Sequence, residues 1–173
     1  NYVYSVNDVR KIEKELHALV RIGYNPDFCG EIPVPISIAG AVIFQNQAQF
    51  NPLKFLSFIS KGLTVYENTK VIEIRGKHAF TEDRKITADY FIVATHFPFM
   101  NKFGLYSLKL YQERSYVIAL ERGTKIDGMY VDEAKKGMSF RNYENYLLIG
   151  GGDHRTGKDG GNYRELRAFS AIH

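Results

Sequence analysis

The sequence predicts an α+β chain: a mixed, largely antiparallel sheet with helices, joined to part of a parallel sheet that carries a β-meander. Three observations predict it. Five short apolar segments follow one another between residues 106 and 149, most of them separated by Gly, Asp, Asn or charged turns, as in an antiparallel sheet. Two further stretches carry apolar residues at helical spacing between capping and stop signals. The run Tyr90-Phe-Ile-Val-Ala94 is apolar without alternation, as in a strand buried on both faces of a parallel sheet.

Taken in order, residues 7–22 place Val9, Ile12, Leu16, Leu19 and Val20 at helical spacing, with Asn7 or Ser5 as cap and Gly23 as stop. In Glu31-Ile-Pro-Val-Pro-Ile36 the prolines remove backbone donors, which suits an edge strand or an extended segment. It leads to a short apolar strand, Ala41-Val-Ile-Phe44. Over 51–62 the signals agree on a helix: Asn51 can cap it, Pro52 occupies the first helical position, Leu53, Phe55, Leu56 and Ile59 form the stripe, and Gly62 closes it. Residues 63–66, 69–75 and 78–81 read as strands, with turns at Gly76-Lys77 and at 82–85, a meander that feeds into the strand 88–95. The five strands of the second half are 106–110, 116–121, 128–131, 138–141 and 146–149, and 163–172 begins a helix. The chain has no internal repeat and no low-complexity segment.

Composition narrows the function. With 173 residues, 45% of them hydrophobic, the chain has the length of about one domain and can bury a core. The balance of 23 basic and 19 acidic residues leaves +4 spread along the chain, which gives no electrostatic case for a nucleic-acid partner. Twelve Tyr and twelve Phe without a basic stripe fill a core and a cavity wall rather than stack on bases. A lone cysteine, Cys29, excludes an internal disulfide and fits a reducing, cytoplasmic compartment, and no Cys/His group has zinc spacing. No apolar run approaches the roughly 18 residues of a membrane span, and no signal sequence opens the chain, so a soluble protein with no membrane partner is expected. The chain opens at Asn1 without a methionine and stops just after a helical pattern begins, so both ends are expected to lie inside a longer protein.

Two segments are specific enough to suggest a family. Tyr66-Glu-Asn-Thr-Lys-Val-Ile-Glu-Ile74, after a capped helix and before a meander ending in Ala88-Asp-Tyr-Phe-Ile-Val-Ala-Thr95, resembles the D-amino-acid oxidase and glycine oxidase superfamily of FAD-dependent oxidoreductases. The resemblance continues through Gln45-Asn-Gln-Ala-Gln-Phe-Asn-Pro52, Leu108-Lys-Leu-Tyr-Gln-Glu-Arg-Ser-Tyr116 and Tyr146-Leu-Leu-Ile-Gly-Gly-Gly-Asp-His-Arg-Thr-Gly157, the last being most similar to a subgroup in which some members carry a C-terminal Rieske domain. It implies that 1–50 and 101–173 form the substrate-binding portion and that 51–100 is an inserted part of the FAD-binding portion. It further implies cofactor contacts at Val71, Ala94 and Thr95, and at His96, which stands where the family usually has glycine. The family's Gly-x-Gly-x-x-Gly segment is not in this sequence, so the chain by itself is expected to bind FAD weakly or not at all and to be inactive.

Oxidation of an amino acid at a flavin needs the anionic end of the substrate anchored, for which Arg141, His154 and Arg155 are candidates. Arg114 and Tyr116 lie on a strand that the resemblance turns toward the substrate cavity, although Tyr116 alternates with Ile118 and equally suits a core. No catalytic acid or base stands out. Gly150-Gly-Gly-Asp-His-Arg-Thr-Gly-Lys158 nearly spells a phosphate-binding loop, but Asp159 stands where Ser or Thr should reach magnesium and Gly160-Gly161 open a helix poorly. The same segment reads as a glycine turn beside the flavin or as a plain hairpin exit. The expected function is oxidation of a C–N bond of an amine or amino acid by hydride transfer to FAD, and the alternative is a ligand-binding or interaction domain without catalysis.

Overall fold

Capping residues set the helix ends in this computed structural model, which describes every residue except 1, 7, 101–103, 135, 159–161 and 173. Helix α1 (Val9–Arg21) starts at Asp8, whose carboxylate accepts from the Arg10 amide at 3.0 Å; Asn7, an expected cap, lies outside the described residues. Helix α2 (Pro52–Ile59) starts at Asn51, whose side chain accepts from the Lys54 amide at 3.1 Å. A four-residue helix, α3 (Tyr106–Lys109), and α4 (Tyr163–Ile172) follow. None of the described helices is long and apolar enough to cross a membrane.

The chain divides into two compact units, Asn1–Gln49 with Gln112–His173, and Phe50–Tyr111. The first holds a seven-stranded sheet in the order β2 (Asp27–Cys29), β3 (Gly40–Phe44), β1 (Tyr2–Val6), β8 (Met129–Asp132), β9 (Ser139–Tyr143), β10 (Tyr146–Arg155), β7 (Glu113–Glu121). Every neighbouring pair is antiparallel except β1 and β8, which run parallel. Because side chains alternate along a strand, the sheet has two distinct faces.

One face is covered. Tyr130, Phe140, Leu147 and Ile149 project from it into a buried cluster with Val34, Ala41 and Leu166 of α4, and Phe169 of α4 meets Phe140 at 5.8 Å between ring centres. Fully burying a side chain such as Phe140 stabilises by about 1.5–3 kcal/mol. The proline segment contributes from outside the ladder: Ile32, Val34, Ile36 and Ile38 turn inward while Glu31, Pro33, Pro35 and Ser37 stay exposed. Its prolines have no N–H to donate, and the Ile36 amide bonds locally to the Val34 carbonyl at 2.8 Å, so the segment bends at 33–35 and pairs with no strand.

The other face is covered only toward β3. There Ile12 and Leu19 of α1 are buried, and a Cβ on Gly40 would fall 2.8 Å from Ile12 Cδ1 and 2.6 Å from Phe28 Cε2. Toward β10 and β7 the same face carries Val117, Ala119, Arg141, Tyr143 and Tyr146, all exposed.

The second unit holds a three-stranded antiparallel meander, β4 (Glu73–Arg75), β5 (His78–Phe80) and β6 (Lys85–Thr87). Its second turn is pinned by buried Thr81, whose hydroxyl donates to Asp83 Oδ1 at 3.0 Å and accepts from the Arg84 amide at 2.9 Å. The expected partial parallel sheet is absent among the described residues: Val71 and the whole of 88–95 lie in no strand, and β4 pairs antiparallel with β5. A central parallel strand needs neighbours on both edges and cover on both faces, and here Tyr90 and Ile92 are 89% and 92% exposed. Residues 63–66 form no strand either, and 106–110, expected as a strand, turn into α3 where Leu108 is exposed and finds no partner.

The Thr81 hydroxyl, followed by Arg84, holds the Asp83 carboxyl below the usual carboxylate range near 4. A carboxyl held low in the folded state favours folding above its unfolded pKa, and that contribution is lost as pH falls through the folded value. Thr81→Val should raise the Asp83 midpoint in an NMR titration and destabilise the turn by about 1–3 kcal/mol in denaturant unfolding.

Candidate functional site

Strand β10 organises the candidate residues because of its three successive glycines. A Cβ on Gly150 would stand 2.5 Å from Ser139 Oγ, and one on Gly151 would stand 3.1 Å from Leu166 Cδ2, so these positions let β9 and α4 approach the strand. At Gly152, with φ +67°, the ladder shifts register: Gly151 opposes Tyr116 and His154 opposes Arg114, which leaves Gly152 and Asp153 facing Ser115 alone. This bulge places the His154 imidazole on the Tyr116 ring, 5.7 Å between centres and 14° from parallel. His154 Nδ1 lies 3.3 Å from the Gly152 carbonyl, which can only accept, so this contact requires the proton on Nδ1. Gly150 and Gly151 are thus ladder residues and Gly152 a bulge residue, all inside β10 and not in a loop that could wrap a phosphate.

The four substrate-binding candidates fall into two groups. Tyr116 and His154 stack, with Arg155 next along the strand opposite Glu113. Tyr116 shares its face with Ile118 and Leu120 and packs against the covered cluster. Arg141 stands on the exposed face opposite Leu148, six residues before His154, which at strand spacing is about 20 Å away. Its Nη1 donates to Gln49 Oε1 at 3.0 Å, and Gln49 Nε2 donates to the Asn142 carbonyl at 3.2 Å. Gln49 was not legible as a site residue; the polar run 45–49 alone gives no sign that it meets β9.

Elsewhere in this unit, burial pushes the Cys29 thiol up, which favours the protonated, unreactive form. Burial also pushes the Tyr130 phenol up, assisted by Asp127, whose carbonyl accepts from Tyr130 Oη at 2.7 Å.

In the second unit Val71 is half-buried, while Ala94, Thr95 and His96 are exposed and outside any strand. Ile72 to Arg75 and Val93 line one open cleft of about 960 Å³, together with Phe99 and Tyr106. The segments that adjoin Val71 and Ala94 therefore meet across a cleft, without a hydrogen-bonded ladder between them.

Sequence comparison defines the class. Residues 3–171 match the family of FAD-dependent oxidoreductases, and the chain belongs to that family. Among its relatives is YhfW of Bacillus subtilis (strain 168), a protein named as a Rieske 2Fe-2S iron-sulfur protein; the two are 32% identical over 173 aligned positions, covering 91% of this chain and 34% of that protein. The chain thus spans about a third of that relative's length. No solved structure is significantly similar to it.

The described residues do not fit the pyrophosphate of FAD. Anion binding at a helix start requires free amides there. The starts of α1, α2 and α4 are closed by Asp8, Asn51 and Asn162, whose side chains accept from the amides of Arg10, Lys54 and Arg164. Pro52 also contributes no N–H.

Gly152 offers a direct test of the bulge. A Cβ there would stand 3.0 Å from the Asn162 carbonyl and 3.3 Å from Tyr116 Cδ2, on a backbone that L residues rarely adopt. Gly152→Ala should cost about 1–3 kcal/mol in unfolding measurements. It should also remove the ring-current shift of the His154 imidazole protons in NMR spectra.

Proposed function

We propose that this chain supplies the substrate-facing sheet, and part of the cofactor-binding portion, of a longer cytoplasmic FAD-dependent enzyme that oxidises the C–N bond of an amine or amino acid. Membership of the FAD-dependent oxidoreductase family supports the redox chemistry. The observation that carries the substrate reading is Arg141, an exposed guanidinium held at 3.0 Å by a neutral amide on the face of β7–β10 that α4 leaves bare. Among the described residues it has no ion-pair partner, so its charge is available to an anion. FAD, held by residues beyond those described, would supply the two-electron acceptor for this oxidation. The chain's own residues bind and orient: Arg141 anchors the carboxylate, Met129 and Leu148 beside it form an apolar floor, and Tyr143 and Tyr146 flank it.

In this reading the pyrophosphate is held by residues outside this chain. The exposed apolar residues of α2 and of 90–93 suit burial against further helices and strands of that longer protein. The Tyr116–His154 pair, on the opposite face, shapes the sheet end and does not meet the same substrate group as Arg141.

Protein expressed from the complete coding sequence should purify yellow with the two visible flavin absorbance bands, whereas FAD fluorescence should stay unquenched when the 173-residue chain alone is added. Arg141→Met in the complete protein should raise KM for an amino-acid substrate by about 10- to 100-fold with little change in kcat. A colourless complete protein, restored by neither FAD nor refolding, would remove the flavoenzyme reading.

A further inference from the structure

We propose that Gln49 is a positioning residue that fixes the Arg141 guanidinium for a monocarboxylate with an apolar body; the inference rests on the reading of Arg141 given above. Gln49 lies on the segment that leaves β3 and reaches back to β9, 93 residues away in sequence from its partner Asn142. Its two contacts fix its amide without ambiguity. Arginine has only donors, so the atom 3.0 Å from Arg141 Nη1 must be the Gln49 oxygen. The Asn142 carbonyl only accepts, so the atom 3.2 Å from it must be the Gln49 nitrogen. A flipped amide would set donor against donor and acceptor against acceptor, and both bonds would be lost.

This arrangement has a consequence for binding. An exposed arginine normally samples many rotamers, and ordering it opposes anion capture. Gln49 occupies one of the five guanidinium N–H groups, holds the plane in place, and leaves the others for a bidentate carboxylate contact. Being neutral, it orders Arg141 without consuming its charge, which a glutamate at the same place would do. The positions around Arg141 on that face set the ligand class: Met129 and Leu148 oppose it on the neighbouring strands, and Ser139 and Tyr143 flank it on its own. No lysine or second arginine stands at those positions, so one carboxylate and an apolar remainder are what the face complements.

The test uses protein from the complete coding sequence and two probes of equal shape, 3-methylbutanoate and its neutral amide, with binding followed calorimetrically. Gln49→Leu should weaken 3-methylbutanoate by about tenfold and leave the amide unchanged, while the Arg141→Met background should show no further loss when Gln49→Leu is added. Gln49→Asn, too short to reach both partners, should behave like Gln49→Leu and serves if the leucine variant does not fold. Equal weakening of both probes would mean a structural role and overturn the proposal. Loss of carboxylate binding in Arg141→Met with none in either Gln49 variant would overturn it while leaving the Arg141 reading intact. No effect of Arg141→Met would remove both.

Discussion

The structure of the larger unit depends on one constraint, the close approach that Gly150, Gly151 and Gly152 permit along β10. A side chain at Gly150 would displace Ser139 Oγ, and one at Gly151, whose φ is +154°, would crowd Leu166, so both glycines ease the close approach of β9 and α4. The third glycine adopts a backbone angle that other residues reach only under strain, and the resulting bulge turns His154 onto Tyr116. With α4 seated on Gly151, the β9, β10 and β7 end of the sheet has one covered face and one bare one. Gly150–Gly152, which open a motif that resembles a phosphate loop in the sequence, serve packing within β10.

That asymmetry is what links the fold to chemistry. Covering both faces would bury Phe140 and Ile149 equally well but would leave no surface on which a guanidinium could meet a ligand. With α4 and the proline segment confined to one side, Arg141, Tyr143 and Tyr146 remain on the other, and the segment leading away from β3 brings Gln49 back to the Arg141 guanidinium and the Asn142 carbonyl. The apolar burial that stabilises the unit and the Arg141–Gln49 contact thus occupy opposite faces of the same strands.

Much of this was legible where the signal is local. The caps at Asn51 and Pro52, the alternation in β7 and the turn at Gly76 are encoded within a few residues of where they act. Strands that depend on distant partners were less so. β1, β2 and β6 were not anticipated, because three to five residues of ordinary polarity become a strand only when a neighbour supplies the ladder. The converse error was to read 63–66, 88–95 and 106–110 as strands from composition, when nothing among the described residues pairs with them. At the site, Tyr116 and His154 were both singled out, but their stacking follows from a register shift that no linear pattern displays. Arg141 is a candidate from its chemistry alone, and its contact with Gln49, whose other partner Asn142 is 93 positions away in sequence, shows in no local pattern.

The second unit has a meander with little interior of its own, only Ala79 and Thr81 being buried among its described residues. Its cleft is lined by Ile72, Val93 and Phe99, and Tyr90 and Ile92, which lie in no strand, stay exposed. The central claim concerns the other unit, that its bare face is the one presented to flavin and substrate. A crystal structure of the complete protein with FAD and a carboxylate ligand tests this most directly. The expected result is the carboxylate on Arg141, with the flavin ring over the face carrying Val117, Tyr143 and Tyr146; a ligand seated instead on the α4 side, beside Phe140 and Phe169, would contradict it.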